Sequence, residues 1–235
     1  MKIVLTAYTD NPLLAEVFAP KMAKSAMPSF YKTLQTKFKK REQNDRIPNS
    51  LEYQNTIRTC FGIGEFNKQG FVLPLWCDYS LVVDRENDTL GFAGAGANGA
   101  SLHDSRQSQG VLDSFYSLKL HSPWVFRCNK DVKFIAVQNT YAVNSELYSV
   151  PPAVVDFYHQ GATNIFLLIN KNQESKELFL NAGSPLVRYI PLTEEPVELK
   201  VEVVPDVKKM GVFHNDIFLG GNSLAKLIRI KKEIA

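Results

Sequence analysis

Asp156 and His159 stand three residues apart in PAVVDFYHQG (residues 152–161), and their types and spacing fit acid–base work. A carboxylate that close can hold one imidazole nitrogen and leave the other to take a proton. A turn offers a plainer use for the same pair, with the Asp accepting backbone N–H bonds and the His on the surface. The plainer use is preferred, so no catalytic residue is assigned, and Asp156 and His159 form an alternative reading. Cys60, Cys77 and Cys128 are far apart and lack a CxxC pair, which reads as buried free thiols. Without a Cys or His pair at ligand spacing, no metal or other cofactor site is expected.

Residues 32–46 carry a basic run in which Lys37, Lys39, Lys40 and Arg41 are the candidate partner-binding residues. Phe30, Tyr31 and Phe38 interleave with the charges, a pattern that fits contact with nucleic acid or an acidic partner. A solvated helix face or loop explains the run equally simply, and that reading is preferred. Residues 91–99, GFAGAGANG, lack the Lys-Ser/Thr and the helix that a phosphate loop needs. They read instead as a mobile surface loop or an arm for subunit contact. His103 and Asp104 have no partner visible in the sequence and are given no chemistry.

Short β-rich runs punctuated by Gly, Asn and Pro dominate the elements that must hold these residues. Residues 1–9 fit a first strand, 13–18 a single helical turn, and 71–75 with 79–83 a pair of strands anchored by Phe71 and Trp76. Asp78 fits a hydrogen-bonding role at a strand end. Two strands are expected within residues 126–137, another over 165–169, a short one over 178–180, and a turn at Gly183 into a strand ending at Pro191. Residues 197–204 alternate apolar and charged side chains, the mark of a half-exposed strand. A final helix is expected over 222–234. Chemistry and spacing together predict one mainly β domain over 1–235, a β-sandwich or β-clip-like barrel with short helices near the N-terminus and at the C-terminus. Its parts would be an irregular N-terminal region (1–55), a β core (56–210) and a helical tail.

The chain has 235 residues, enough to bury a real core. Its 27 Lys and Arg against 24 Asp and Glu give a net charge of +3, too small to argue for nucleic acid alone. No apolar run reaches bilayer-spanning length, and no secretory leader is recognisable, so a soluble protein with no membrane partner is expected.

Several stretches in order resemble a family of uncharacterised proteins encoded by tailed bacteriophages. They are Ala19-Pro20, MPSFYK at 27–32, TIRTC at 56–60, GFVLPLWCD at 70–78, SPW at 122–124 and GSPLVRYIP at 183–191. That resemblance implies a viral setting, in the virion or the host cytoplasm, without implying a reaction. Locally, residues 152–161 are similar to the third signature of the trimeric dUTPases, Pro-Gly-x-Ile-Asp-x-x-Tyr-x-Gly. The similarity implies a β-clip architecture, with Asp156 as the base that activates water and Mg as cofactor. His159 replaces the signature's Tyr, Ala153 replaces its Gly, and the arginine- and glycine-rich elements for a triphosphate are not recognisable.

The expectation is therefore a phage-encoded, non-enzymatic protein, a virion structural or assembly component that contacts itself or other virion proteins as a homo-oligomer. Two alternatives remain open. One is a dUTPase-like nucleotide-binding or nucleotide-hydrolysing enzyme built on Asp156. The other is a phage protein that binds a host factor or nucleic acid through the basic run.

Overall fold

Alternation of buried and less buried side chains marks the strand segments over 79–83, 115–120, 133–136, 162–169 and 177–180, because successive residues of a strand face opposite sides of its sheet. The computed structural model describes residues 2–39, 53–94, 99–104, 106, 110, 112–140, 147–172 and 177–207. Lys40, Arg41, residues 95–98 of the glycine-rich stretch and the helix expected over 222–234 lie outside the described residues.

In chain order the first strands are β1 (Ile3–Thr9), β2 (Lys21–Met22), β3 (Lys37–Lys39), β4 (Tyr53–Asn55) and β5 (Phe71–Pro74). Next come β6 (Tyr79–Asp84), β7 (Thr89–Gly94), β8 (Ala100–His103), β9 (Phe115–Cys128) and β10 (Lys133–Gln138). The last are β11 (Ala153–Asp156), β12 (Ala162–Asn170), β13 (Glu177–Leu180), β14 (Pro185–Pro191) and β15 (Val197–Val203). Short helices α1 (Pro12–Val17), α2 (Ser29–Thr33) and α3 (Phe61–Lys68) occur in the first third. The expected turn at 13–18 is α1, started by Pro12 and capped by Asn11, whose side chain accepts from the Leu13 and Leu14 amides.

One large sheet runs β12-β9-β1-β15, with β8 also on β9, and a second runs β11-β10-β14-β5-β2. β13-β6-β7 and β3-β4 make smaller sheets. The chain is thus mainly β and sandwich-like, and no sheet among the described residues closes into a barrel. Phe126 of the first sheet meets Phe71 and Tyr189 of the second as well as Phe157, and Phe134 joins through Phe71 and Phe157, with ring centroids 5.0 to 6.3 Å apart across the cluster. All five rings are almost wholly buried. Each contributes about 1.5–3 kcal/mol from burial, and ring pairing adds about 0.5–1.5 kcal/mol per pair.

Two expectations need correction. The strands at 71–75 and 79–83 are not partners: β5 pairs with β14 and β2, whereas β6 pairs with β7 and β13. The bend at Trp76-Cys77-Asp78 sends the chain into a different sheet, and the Ala182 amide donates to Asp78 Oδ1 at 2.7 Å, the strand-end role expected of Asp78. The glycine-rich stretch is not simply a loop either, since 91–94 belong to β7 and Ala100 opens β8. A Cβ on Gly94 would lie 2.6 Å from the Tyr79 ring, so the small residue allows a cross-strand aromatic to lie flat. The N-terminal strand lies inside its sheet, because β1 pairs in parallel with β15 and antiparallel with β9. Phe71 and Trp76 are buried as expected, and in the first strand Ile3 and Leu5 are buried while Val4 is half-buried.

Candidate functional site

The four residues Asp156-Phe157-Tyr158-His159 carry the chain from β11 in one large sheet to β12 in the other. Phe157 is 1% exposed and sits in the inter-sheet aromatic cluster, whereas Tyr158 faces out at 45%. His159 turns back in and is 3% exposed, so the surface position expected for it is wrong. The reason lies in Asp156. Its Oδ1 accepts from the Tyr158 and His159 amides at 3.1 and 3.2 Å, and its Oδ2 meets His159 Nδ1 at 2.8 Å. A carboxylate that satisfies the imidazole internally removes the main cost of burying it. The Gln160 amide closes the turn on the Asp156 carbonyl, and the Phe126 amide on β9 donates to the Gly161 carbonyl.

Cross-strand register adds a cation. Asp156 lies opposite Lys133 in the β10–β11 ladder, and the Lys133 ammonium binds Asp156 Oδ2 and, at 2.9 Å, Asp131 Oδ1. Burial works against the Asp156 charge, but the Lys133 and His159 bonds outweigh it and hold its pKa below the usual carboxylate range. Burial also opposes the Lys133 charge, and its two carboxylate partners overcome that and raise its pKa.

Donor atoms of Asp131, Asp156 and His159 lie within 4.8 Å of one another, a spacing that could hold a metal. Here the Lys133 ammonium already occupies the electrostatic role a cation would take. An imidazole nitrogen and a competing ammonium do not fit Mg, which prefers an octahedron of oxygens. Chemically the arrangement is a four-donor clamp on one carboxylate that fixes the crossing between sheets.

Concavity lies elsewhere. A cleft of about 460 Å³ opens where β7 and β9 begin and β8 and β12 end. Its polar wall is Asp88, which accepts from Tyr116 Oη at 3.0 Å and pairs with Lys171 Nζ at 2.9 Å. Lys171 also lies 5.0 Å from the centre of the Tyr116 ring. Lys171 and Tyr116 hold the Asp88 carboxyl below its ordinary pKa. His103 and Phe166 meet edge-on at 4.7 Å on the facing wall. Asp104 is paired with Arg106, which holds its pKa down at about 2. His103 and Asp104 therefore have partners that the sequence did not reveal. A second cavity, of about 240 Å³, lies beside Gly70 and Leu5. Asp156 and His159 line neither of these two cavities.

Arg188 is a residue the sequence reading passed over. It is fully buried between β14 and α3, where it donates to the Phe66 carbonyl, to Asn67 Oδ1 at 3.3 Å and to Asn139 Oδ1 at 2.8 Å. Its guanidinium stacks 4.6 Å from the Phe66 ring centre, and burial pushes its pKa down to about 10. The signal was present: one arginine inside the apolar run PLVRYIP is out of place unless it caps something. Here it caps the C-terminal end of α3, whose last carbonyls need donors.

The other nominated residues are scattered. Lys37 lies exposed on the two-stranded β3–β4 sheet beside Phe38, and Lys39 ends β3. The thiols differ from the buried reading, since Cys60 is exposed, Cys77 half-buried and only Cys128 buried. Ser101 and His121 meet across β8 and β9 at 3.1 Å, a pair hidden in sequence because the β8–β9 pairing was not foreseen. No helix among the described residues is long and apolar enough to cross a membrane. No protein-family model matches the chain, and no curated protein matches it.

Proposed function

We propose that this chain is a phage-encoded, non-enzymatic building block that works through contacts with itself or with other virion proteins. The observation that carries the reading is the outer face of the β13-β6-β7 sheet. Register places Glu177, Val82 and Gly91 in one row and Phe179, Ser80 and Ala93 in the next. Val82 is 45% and Phe179 55% exposed, and Gly91 and Ala93 are also exposed. Apolar side chains grouped on a strand face mark interaction surfaces more often than scattered ones do. β7 and β13 are also the terminal strands of that sheet among the described residues, so the face continues to two edges that can accept pairing.

The commitment of Asp156 supports the same reading. A general base for water needs a lone pair facing substrate, and this carboxylate is bound by Lys133, His159 and two backbone amides. Hydrogen exchange at low and high protein concentration tests the proposal. Protection that grows with concentration in β6, β7 and β13 is the expected result. Unchanged exchange there, with magnesium-dependent nucleotide hydrolysis by the purified chain, would replace the proposal with the enzyme reading.

A further inference from the structure

Antiparallel pairing brings four strand ends together around the larger cleft, and the chemistry of its walls restricts what can enter. The size, about 460 Å³, falls within the range of small-molecule sites. Phe115, Phe166, Leu102, Leu168 and Leu90 give it a mainly apolar lining. An occupant must therefore present an apolar face, and flat rings pack best against aromatic walls.

Charge narrows the class further. The cleft's cation, Lys171, is paired with Asp88 at 2.9 Å, and Asp104 is paired with Arg106. A charged guest would have to break one of these pairs or stay uncompensated against an apolar wall, which is costly. Asp88 retains capacity for a guest of the right kind. Its side chain is 68% exposed, and a carboxylate has about four acceptor positions, more than Tyr116 and Lys171 use. Its backbone adopts φ 47°, a left-handed conformation that Asp tolerates better than most residues, so Asp88 is fixed at the mouth by the turn itself.

We infer that this cleft binds a small, uncharged aromatic ring bearing a hydrogen-bond donor, of the phenol or indole kind. The ring lies against Phe166 and the leucines, and its donor points to Asp88. This site is separate from the β13-β6-β7 outer face, so it stands whether or not that face is an interface.

Phenol, indole, benzoate and benzylammonium titrated into the full chain, followed by NMR shifts and calorimetry, form the test. Phenol and indole are expected to bind with dissociation constants on the order of 1 mM, as suits ligands of so few atoms. Both charged analogues should bind at least about tenfold more weakly, because neither finds an unpaired counter-ion. Leu102 is 44% exposed, so Leu102→Trp can fill the cleft without repacking the core, and it should abolish binding. Asp88→Asn keeps the shape and the left-handed turn but leaves Lys171 without its carboxylate. That variant should gain about fivefold for benzoate. Absence of phenol and indole shifts in the wild type, binding that survives Leu102→Trp, or equal affinity for benzoate would each overturn the inference. A thermal melt of each variant confirms that it is folded.

Discussion

Replacing Asp156 by Ala separates a structural carboxylate from a chemical one, and the expected loss can be worked from the clamp. His159 is 3% exposed, so removing its acceptor leaves a buried imidazole N–H unpaired, at a cost of about 1–3 kcal/mol. Two turn amides lose their side-chain acceptor, adding about 1 kcal/mol together. Lys133 keeps Asp131 and is partly exposed, so its share is small, about 0–1 kcal/mol. The total is about 2–5 kcal/mol, a large fraction of a typical domain's stability. Asp156→Asn keeps Oδ1 for both amides and should lose only about 1–2 kcal/mol. Urea unfolding with an unchanged slope measures both values. A loss under about 0.5 kcal/mol for Asp156→Ala would refute the clamp.

The acid limb of stability should carry the same signature. The pKa of Asp156 is depressed in the fold, so its contribution is complete above the unfolded value of about 3.9 and disappears as pH falls through the lower folded value. Wild type and Asp156→Asn should therefore converge in stability on acidification, as urea midpoints at several pH values would report. Gly70→Ala should cost about 3 kcal/mol or more and reduce soluble yield, because Gly70 has φ +71° and a Cβ there would sit 1.9 Å from the Tyr189 carbonyl oxygen. Arg188→Ala should lose about 3 kcal/mol, with amide exchange rising first in α3, since it removes one of the two donors on the Phe66 carbonyl, leaving only the Gln69 amide, and leaves two asparagine oxygens without their donor.

Local chemistry made much of this fold legible. Alternation in VELKVEV gave β15, the apolar run before Asn170 gave β12, and the aromatics Phe71 and Trp76 identified themselves as core. Pairing was not legible, because partners are chosen by long-range register. Nothing near Phe71 announces Tyr189 across the β5–β14 ladder, and nothing in IVLTAYT announces a parallel partner near the far end of the described chain. The glycine-rich stretch misled because strand propensity scales reward β-branched residues, whereas β7 uses glycine where Tyr79 needs room. At the site, spacing correctly brought Asp156 and His159 together, but burial depends on the neighbours. Lys133 reaches Asp156 only through cross-strand register, and Phe157 between them is what draws the turn into the core. The cleft residues Asp88, Tyr116 and Lys171 come from three separate strand ends, so no window of sequence contains them.

Sedimentation equilibrium of the wild type and Val82→Glu, run side by side, tests the central claim most directly. Val82 is on an exposed strand face, so the charge should leave the fold intact while opposing burial of that face. The account predicts a wild-type mass that is a multiple of 26.5 kDa and a Val82→Glu variant shifted towards the single-chain mass. Wild-type and variant chains that sediment identically, as single copies or as the same oligomer, would contradict it.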